Sequence, residues 1–180
     1  MLRGQKVGLR ARIEADIPIL HSELYDDVEV HSRSDSRPWR PIGASSSASP
    51  YAIPEPNDRV AAFSVVTLDD GELAGEAVLW SIDTHNRSAH IGLALRPGSR
   101  GKGLATDAVL VLCHYGFVVR GLHRLQLETL ADNEAMIRAA VRAGFTHEGT
   151  LRSSDWVTGT FIDQVIYGLL VDEYPLLPRS

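Results

Sequence analysis

HIGLALRPGSRGKGLATDAV, residues 90–109, joins a strand pattern to a helix pattern through a glycine-rich turn. Glycine lets the backbone approach a ligand closely, and Gly101 and Gly103 stand immediately before the helix. The first turn of a helix has unpaired N–H groups, and the helix dipole adds positive potential there. The stretch therefore predicts a site for a phosphate or pyrophosphate group.

Three cations, Arg96, Arg100 and Lys102, place formal positive charge around this turn. By spacing alone, a turn of this kind is as often a simple chain reversal as a ligand site. A dinucleotide-binding fingerprint would need glycine at 106, where Thr106 stands, and a GxxxxGK[ST] loop does not occur. Those two nucleotide-binding motifs fit poorly.

The segments on both sides of the turn predict a mixed sheet with helices on its faces. Upstream, a strand is predicted at 7–12 and a helix at 14–30. Three strand-like segments separated by turns, at 60–68, 73–82 and 88–95, then favour an antiparallel meander. Downstream, helices are predicted at about 104–120 and 134–143, with strands at 123–130, 145–152 and 161–171. The fold class is α/β (α+β), with a largely antiparallel central sheet flanked by helices.

Composition indicates one globular domain, residues 1–180, with 44% hydrophobic and 23% charged residues. A net charge of -5 argues against nonspecific binding to nucleic acid or to an anionic membrane surface. Cys113 is the only cysteine, which fits a reducing compartment, and the sequence shows neither a signal-peptide pattern nor a membrane span. We therefore expect a cytoplasmic protein. The histidines have no metal-binding spacing, so we predict no metal.

Residues 31–59 are rich in Ser, Pro and Arg and include ASSSASP at 44–50. Such a segment has little apolar surface to bury, so it predicts a solvated loop. The alternative is a mobile lid on the acceptor side, anchored by Trp39.

The motif RGKGLA at 100–105 matches the [QR]-x-x-G-x-[GA] signature, and the chain thereby resembles the GNAT superfamily of acyl-CoA N-acyltransferases. Further motifs resemble its RimJ/RimL-type branch: Asp132-Asn133, AVRAGF at 140–145, Glu148-Gly149, Leu151-Arg152 and FIDQVIYGLLVDEY at 161–174. The similarity covers nearly the whole chain and fails only through the Ser/Pro segment.

The resemblance implies transfer of an acetyl group from acetyl-CoA to a primary amine, with a protein N-terminal α-amine favoured over a small-molecule amine. A catalytically silent acyl-CoA-binding sensor is the alternative, and a homodimer is left open. The implied cofactor-binding residues are Arg100, Gly101, Lys102, Gly103, Leu104 and Ala105 for the pyrophosphate, with Leu93, Ala94, Leu95 and Arg96 beside the pantetheine arm. Asn133 is expected to bond the pantetheine, to cap a helix, or both.

Thioester aminolysis needs a neutral amine, close positioning and donors for the developing oxyanion, so side chains contribute little beyond proton transfer. The candidates are His90, Glu128 and Glu76. Alternation along β-strand 88–95 predicts His90 on the face opposite Ile91, beside small residues that leave room for a ligand. The chain departs from the family pattern at His90, where Glu is expected, and at Ala140, where many relatives have a Tyr acid.

Overall fold

The structure is a computed structural model, and it describes residues 1–174. Within residues 1–174, eight strands form a single sheet in the order β1-β2-β3-β4-β5-β6-β8-β7, and only β5 and β6 pair in parallel. This confirms the predicted mixed, largely antiparallel sheet. The strands are β1 Leu2–Arg3, β2 Val7–Arg10, β3 Ala61–Thr67, β4 Leu73–Asp83, β5 Ser88–Leu95, β6 Arg124–Leu130, β7 Thr146–Val157 and β8 Thr160–Leu170.

In the described part of the chain, four α-helices accompany the sheet: α1 Asp16–Leu20, α2 Val28–Ser34, α3 Leu104–His114 and α4 Glu134–Arg142. Wider π-helical turns continue α1 through His21–Tyr25 and α3 through Tyr115–Val119. The helix predicted over 14–30 is instead broken, because the Asp27 side chain accepts hydrogen bonds from the amides of Glu29 and Val30 and starts a new helix.

The two faces of the sheet carry separate cores. Val65 belongs to the larger core and its neighbour Val66 to the smaller one, so the cores lie on opposite faces of β3. The larger core includes Ala108, Val109 and Leu112 of α3, which are fully buried. The smaller core is formed by Leu20, Leu24, Tyr25, Tyr51, Val66 and Leu73. No helix within residues 1–174 has the length and apolar character that crossing a membrane requires.

A partly buried ion pair fixes the chain between β2 and α1. Asp16 accepts two hydrogen bonds from Arg10, at 2.6 and 2.8 Å, one from the Ser64 hydroxyl and one from the Ile13 amide. Burial alone would raise the pKa of Asp16, but these bonds outweigh it and lower the pKa to about 2. Asp16 therefore stays ionised while it ties α1 to β3.

The loop predicted over 31–59 is correct from residue 35 onward, whereas residues 31–34 belong to α2. Residues 35–60 contain no helix or strand, yet specific bonds hold the segment against the helices. His21 is buried and contacts the Ser49 hydroxyl at 3.0 Å and the Ile42 carbonyl oxygen at 2.9 Å. The Tyr25 hydroxyl donates to the Arg40 carbonyl, and the Trp39 indole N–H donates to the Tyr25 carbonyl. Trp39 does anchor the segment, but it is one of several anchors.

Candidate active site

In the middle of the sheet, β5 and β6 pair along only part of their lengths, which leaves a gap between their unpaired ends. The two strands pair in parallel only from Ser88 with Arg124 to Ile91 with Leu127. β5 then continues to Leu95 and β6 to Leu130, with no further pairing between them among the described residues. The side of β5 that faces this gap is therefore available to a ligand that pairs with a strand. Leu93, Ala94 and Leu95, predicted to bind the cofactor, lie on this part of β5.

The glycine-rich loop begins where β5 ends, at the open end of the gap. Gly101 and Gly103 have φ angles of 74° and 75°, a left-handed conformation that glycine adopts without strain. Gly103 is the N-cap of α3, and within the described chain no side chain caps this helix end. The first amides of α3 are therefore free to bind an anion. Arg100 is tied back to the strand by a 3.0 Å bond from Nε to the Leu95 carbonyl oxygen.

The predicted cation Arg96 is already engaged. Its guanidinium donates to the Glu23 carboxylate and to the Leu73 carbonyl oxygen. The hydrogen bond from Arg96 lowers the pKa of Glu23, so the pair stays ionised and most of the Arg96 charge is neutralised. Its backbone amide bonds the Ala74 carbonyl at 2.9 Å. The positive potential near the loop consequently depends on other side chains.

Sequence reasoning missed Lys6 and Asp107, which belong to the same region. The ammonium of Lys6 donates to the Lys102 carbonyl oxygen at 3.1 Å. Asp107 of α3 accepts the backbone amides of three successive residues, Gln5, Lys6 and Val7. No spacing in the sequence indicates this arrangement, because the contacts join residues about 100 positions apart.

The structure brings His90 and Glu128 together on one face of the sheet, beside the point where β5 and β6 separate. Their atoms Nδ1 and Oε1 are 3.3 Å apart, and the side chains are 28% and 25% exposed. The contact has the distance of an ion pair but not the alignment of a hydrogen bond, since Nδ1 has no hydrogen-bond partner among residues 1–174. Gln126 donates to the same Glu128 oxygen at 2.6 Å, and Trp80 packs on the imidazole with ring centroids 4.4 Å apart.

Glu76 lies apart from that pair. It faces Ala94 across the β4–β5 ladder, whereas His90 faces Trp80, so the two sites are four residues apart on β5. At about 3.4 Å per residue, this separation is about 14 Å. Arg12, whose side chain is 1% exposed, binds the Glu76 carboxylate directly, and the Tyr51 ring covers the guanidinium. Burial raises the pKa of Glu76, against the effect of Arg12.

Asn133 and Ala140 occupy structural positions in and beside α4. The Asn133 side chain accepts the Met136 amide at 3.2 Å and donates to the Thr129 hydroxyl at 3.0 Å, which confirms the helix cap. Ala140, which stands where many relatives have a Tyr, is fully buried in the larger core. Among residues 1–174, no group of three or more His, Cys, Asp or Glu side chains comes together as a metal site, and the absence of a metal stays a prediction.

Comparison with known proteins identifies the family. The profile described as "Acetyltransferase (GNAT) domain" matches residues 6–146. The chain belongs to the GNAT acetyltransferase family. Its sheet, with the gap between β5 and β6 and the glycine loop beside it, is thus the GNAT fold predicted from the RGKGLA motif.

Several GNAT relatives have known names. The chain is 32% identical over 105 residues to the spermidine N(1)-acetyltransferase of Escherichia coli strain K12. This match covers 58% of this chain and 56% of that protein. It is 27% identical over 103 residues to the ribosomal-protein-serine acetyltransferase of the same strain, and this match covers 57% of this chain and 58% of that protein. The latter agrees with the RimJ/RimL-type resemblance. The chain thus spans less than two thirds of the length of the curated relatives it matches.

A solved structure shares the fold over a longer span. The spermidine N-acetyltransferase of Vibrio cholerae, in complex with CoA and spermine, superposes with a TM-score of 0.83 and 23% identity. The match covers 93% of this chain and 97% of that one. At this identity the likeness concerns the GNAT fold alone.

Proposed function

We propose that this GNAT protein transfers an acetyl group from acetyl-CoA to a primary amine. One observation carries the proposal: the gap between β5 and β6 opens directly toward the glycine loop and the uncapped start of α3. An extended ligand arm that ends in a pyrophosphate can pair with β5 and reach the helix amides at the same time. Acetyl-CoA has this form, and a GNAT structure with bound CoA has the same fold.

The residues that would hold acetyl-CoA have separate tasks. The backbone of Leu93–Leu95 would pair with the pantetheine arm, and the amides of Arg100–Ala105 would bind the pyrophosphate. Arg96 would act mainly through its backbone, because Glu23 takes up its guanidinium. Asn133 would reach the pantetheine only by sharing or giving up its present bonds with Thr129 and Met136.

His90 is the proposed proton acceptor. The amine nitrogen attacks the thioester carbonyl, the C–N bond forms, and the C–S bond breaks as the thiolate leaves. The amine proton passes to His90, directly or through one water. The Glu128 carboxylate, 3.3 Å from Nδ1, would stabilise the imidazolium that results. Glu76 is a weaker candidate, because Arg12 already occupies its carboxylate.

A protein N-terminal α-amine is the favoured acceptor. An α-amino group has a pKa of about 7.7 to 8, so one histidine suffices to accept its proton, whereas a lysine amine at about 10.4 needs more help. The relative that acetylates ribosomal-protein serine supports this choice. The spermidine acetyltransferases among the relatives support a small-molecule polyamine as the second candidate.

The test is an acceptor panel with the purified chain and acetyl-CoA, in which released thiol is measured with a chromogenic disulfide. The panel contains short peptides with different N-terminal residues, spermidine and lysine, and a matched reaction without acceptor gives the hydrolysis background. Thiol release with peptides above all other amines would support the proposal. Tight acetyl-CoA binding without acceptor-dependent thiol release would favour the silent sensor instead.

Three further properties belong to the same proposal. Residues 1–180 would form one acetyltransferase domain, since the larger core already joins Val7 to Tyr174. A cytoplasmic location is supported by Cys113, a buried free thiol. A homodimer is supported by the aromatic pair Trp156 and Phe161 on β7 and β8, whose side chains are 62% and 59% exposed.

A further inference from the structure

We propose that Lys6, in the turn between β1 and β2, is a phosphate-binding residue of the acetyl-CoA site. The inference rests on the proposed function. Its starting point is the position of the Lys6 ammonium, which bonds the Lys102 carbonyl oxygen at 3.1 Å. A Cβ atom placed on Gly103 would lie 3.2 Å from Nζ. The ammonium thus lies at the uncapped N-terminus of α3, where the pyrophosphate is expected.

Asp107 fixes the backbone of this turn. Its carboxylate accepts the amides of Gln5, Lys6 and Val7 at 3.0, 2.7 and 2.9 Å. Gly4 permits the approach, because a Cβ there would collide with the Asp107 carboxylate. The turn is therefore attached to the first turns of α3. These bonds fix the backbone of Lys6, although its side chain is exposed.

Lys6 also has unused charge and unused donors. Within residues 1–174 no carboxylate forms an ion pair with it, and Asp107 is occupied by backbone amides. An ammonium has three donors, of which the bond to Lys102 uses one. Arg96 is paired with Glu23, so Lys6 supplies positive charge that Arg96 does not. A phosphate oxygen is the natural acceptor for the remaining donors.

CoA offers two sources of this chemistry, its pyrophosphate and its ribose 3′-phosphate. Dephospho-CoA lacks only the latter, so it separates them. The experiment is calorimetric titration of both ligands into the intact chain and three variants: Lys6→Gln, Lys6→Arg and Arg152→Gln. The last variant removes one exposed positive charge from β7, at the opposite edge of the sheet.

Lys6→Gln is expected to weaken CoA binding about 5- to 20-fold, Lys6→Arg less than about 3-fold, and Arg152→Gln not measurably. The Lys6→Gln loss should shrink as salt is raised. A loss confined to CoA supports contact with the 3′-phosphate, and a loss with both ligands supports contact with the pyrophosphate. Thermal melting should show equal stability of Lys6→Gln and the parent chain.

Unchanged affinity of Lys6→Gln for both ligands would overturn the inference, as would an equal loss in Arg152→Gln. An equal loss in Lys6→Arg would also contradict a role for the charge. If the parent chain itself fails to bind CoA, the proposed function is wrong instead, so the two failures are distinguishable.

Discussion

Replacing each of the two loop glycines with alanine tests whether the start of α3 binds acetyl-CoA. Gly101 and Gly103 have nearly the same left-handed φ, 74° and 75°. An alanine forced into this conformation costs about 1–2 kcal/mol. Gly101→Ala and Gly103→Ala should therefore lower the free energy of unfolding by similar amounts, which makes one variant the stability control of the other.

Affinity should separate the two variants. A Cβ at Gly101 would meet no atom of residues 1–174 within 4 Å, whereas a Cβ at Gly103 would lie 3.2 Å from the Lys6 ammonium at the helix N-cap. Gly103→Ala should weaken acetyl-CoA binding at least 10-fold, about 1.4 kcal/mol, and Gly101→Ala much less. In Gly103→Glu, a carboxylate about 4 Å from a phosphate charge adds a repulsion of about 4 kcal/mol, which should abolish measurable binding.

Urea denaturation measures the stability of each variant, and calorimetric titration with acetyl-CoA measures its affinity. Binding to Gly103→Glu with the parent affinity would refute the placement of the pyrophosphate. Equal losses of affinity in the two alanine variants would show that loop strain, and not proximity to the helix N-terminus, controls binding.

Three other predictions concern catalysis, stability and dynamics. His90→Ala should lower kcat at least about 100-fold with acetyl-CoA affinity intact. The control His85→Ala, in the exposed β4–β5 turn, should change neither kcat nor affinity. A smaller loss of kcat, or an unchanged acidic limb of the pH–rate profile, would assign proton acceptance to Glu128, Glu76 or solvent instead. The pKa of Asp16 is lowered from 3.8 to about 2, so its ionisation stabilises the fold by about 2 kcal/mol above pH 4, and this contribution is lost as pH falls toward 2. Asp16→Asn should therefore show its largest destabilisation near pH 7 in urea titrations, and a pH-independent difference would contradict the assignment. Residues 31–59 should exchange amide hydrogens faster than α3, and equally slow exchange would exclude a mobile lid.

Much of the sheet could be predicted from the sequence because the alternation of side chains between the two faces of a strand is a local property. The meander β3–β4–β5 follows the predicted segments to within one residue at each end. The alternation on β5 also places His90 opposite Ile91 correctly, since Ile91 is buried in the larger core while His90 is partly exposed. The glycine loop was identifiable because backbone conformation there depends on a few residues in sequence.

Features that depend on distant contacts could not be predicted. β1 has only two residues, and it pairs with β2 through a turn whose backbone amides bond the Asp107 carboxylate. β7 extends to Val157, beyond the predicted end at 152, because a register shift between Leu151 and Asp155 lets it continue along β8. The engagement of Glu76 by Arg12 joins residues 64 positions apart, and no local pattern reports it.

The point at which β5 and β6 separate also limits how deeply an extended ligand arm could enter the sheet. Adjacent strands are about 4.8 Å apart, so a chain that lies between them needs a gap of about twice that width. Such a chain must halt before Ile91 and Leu127, where the two strands are joined. In the proposed binding mode, the arm of a ligand held at the glycine loop would therefore end where β5 and β6 join, next to His90 and Glu128. Shortening or lengthening the arm would then misplace the reacting carbonyl without changing any side chain of the protein.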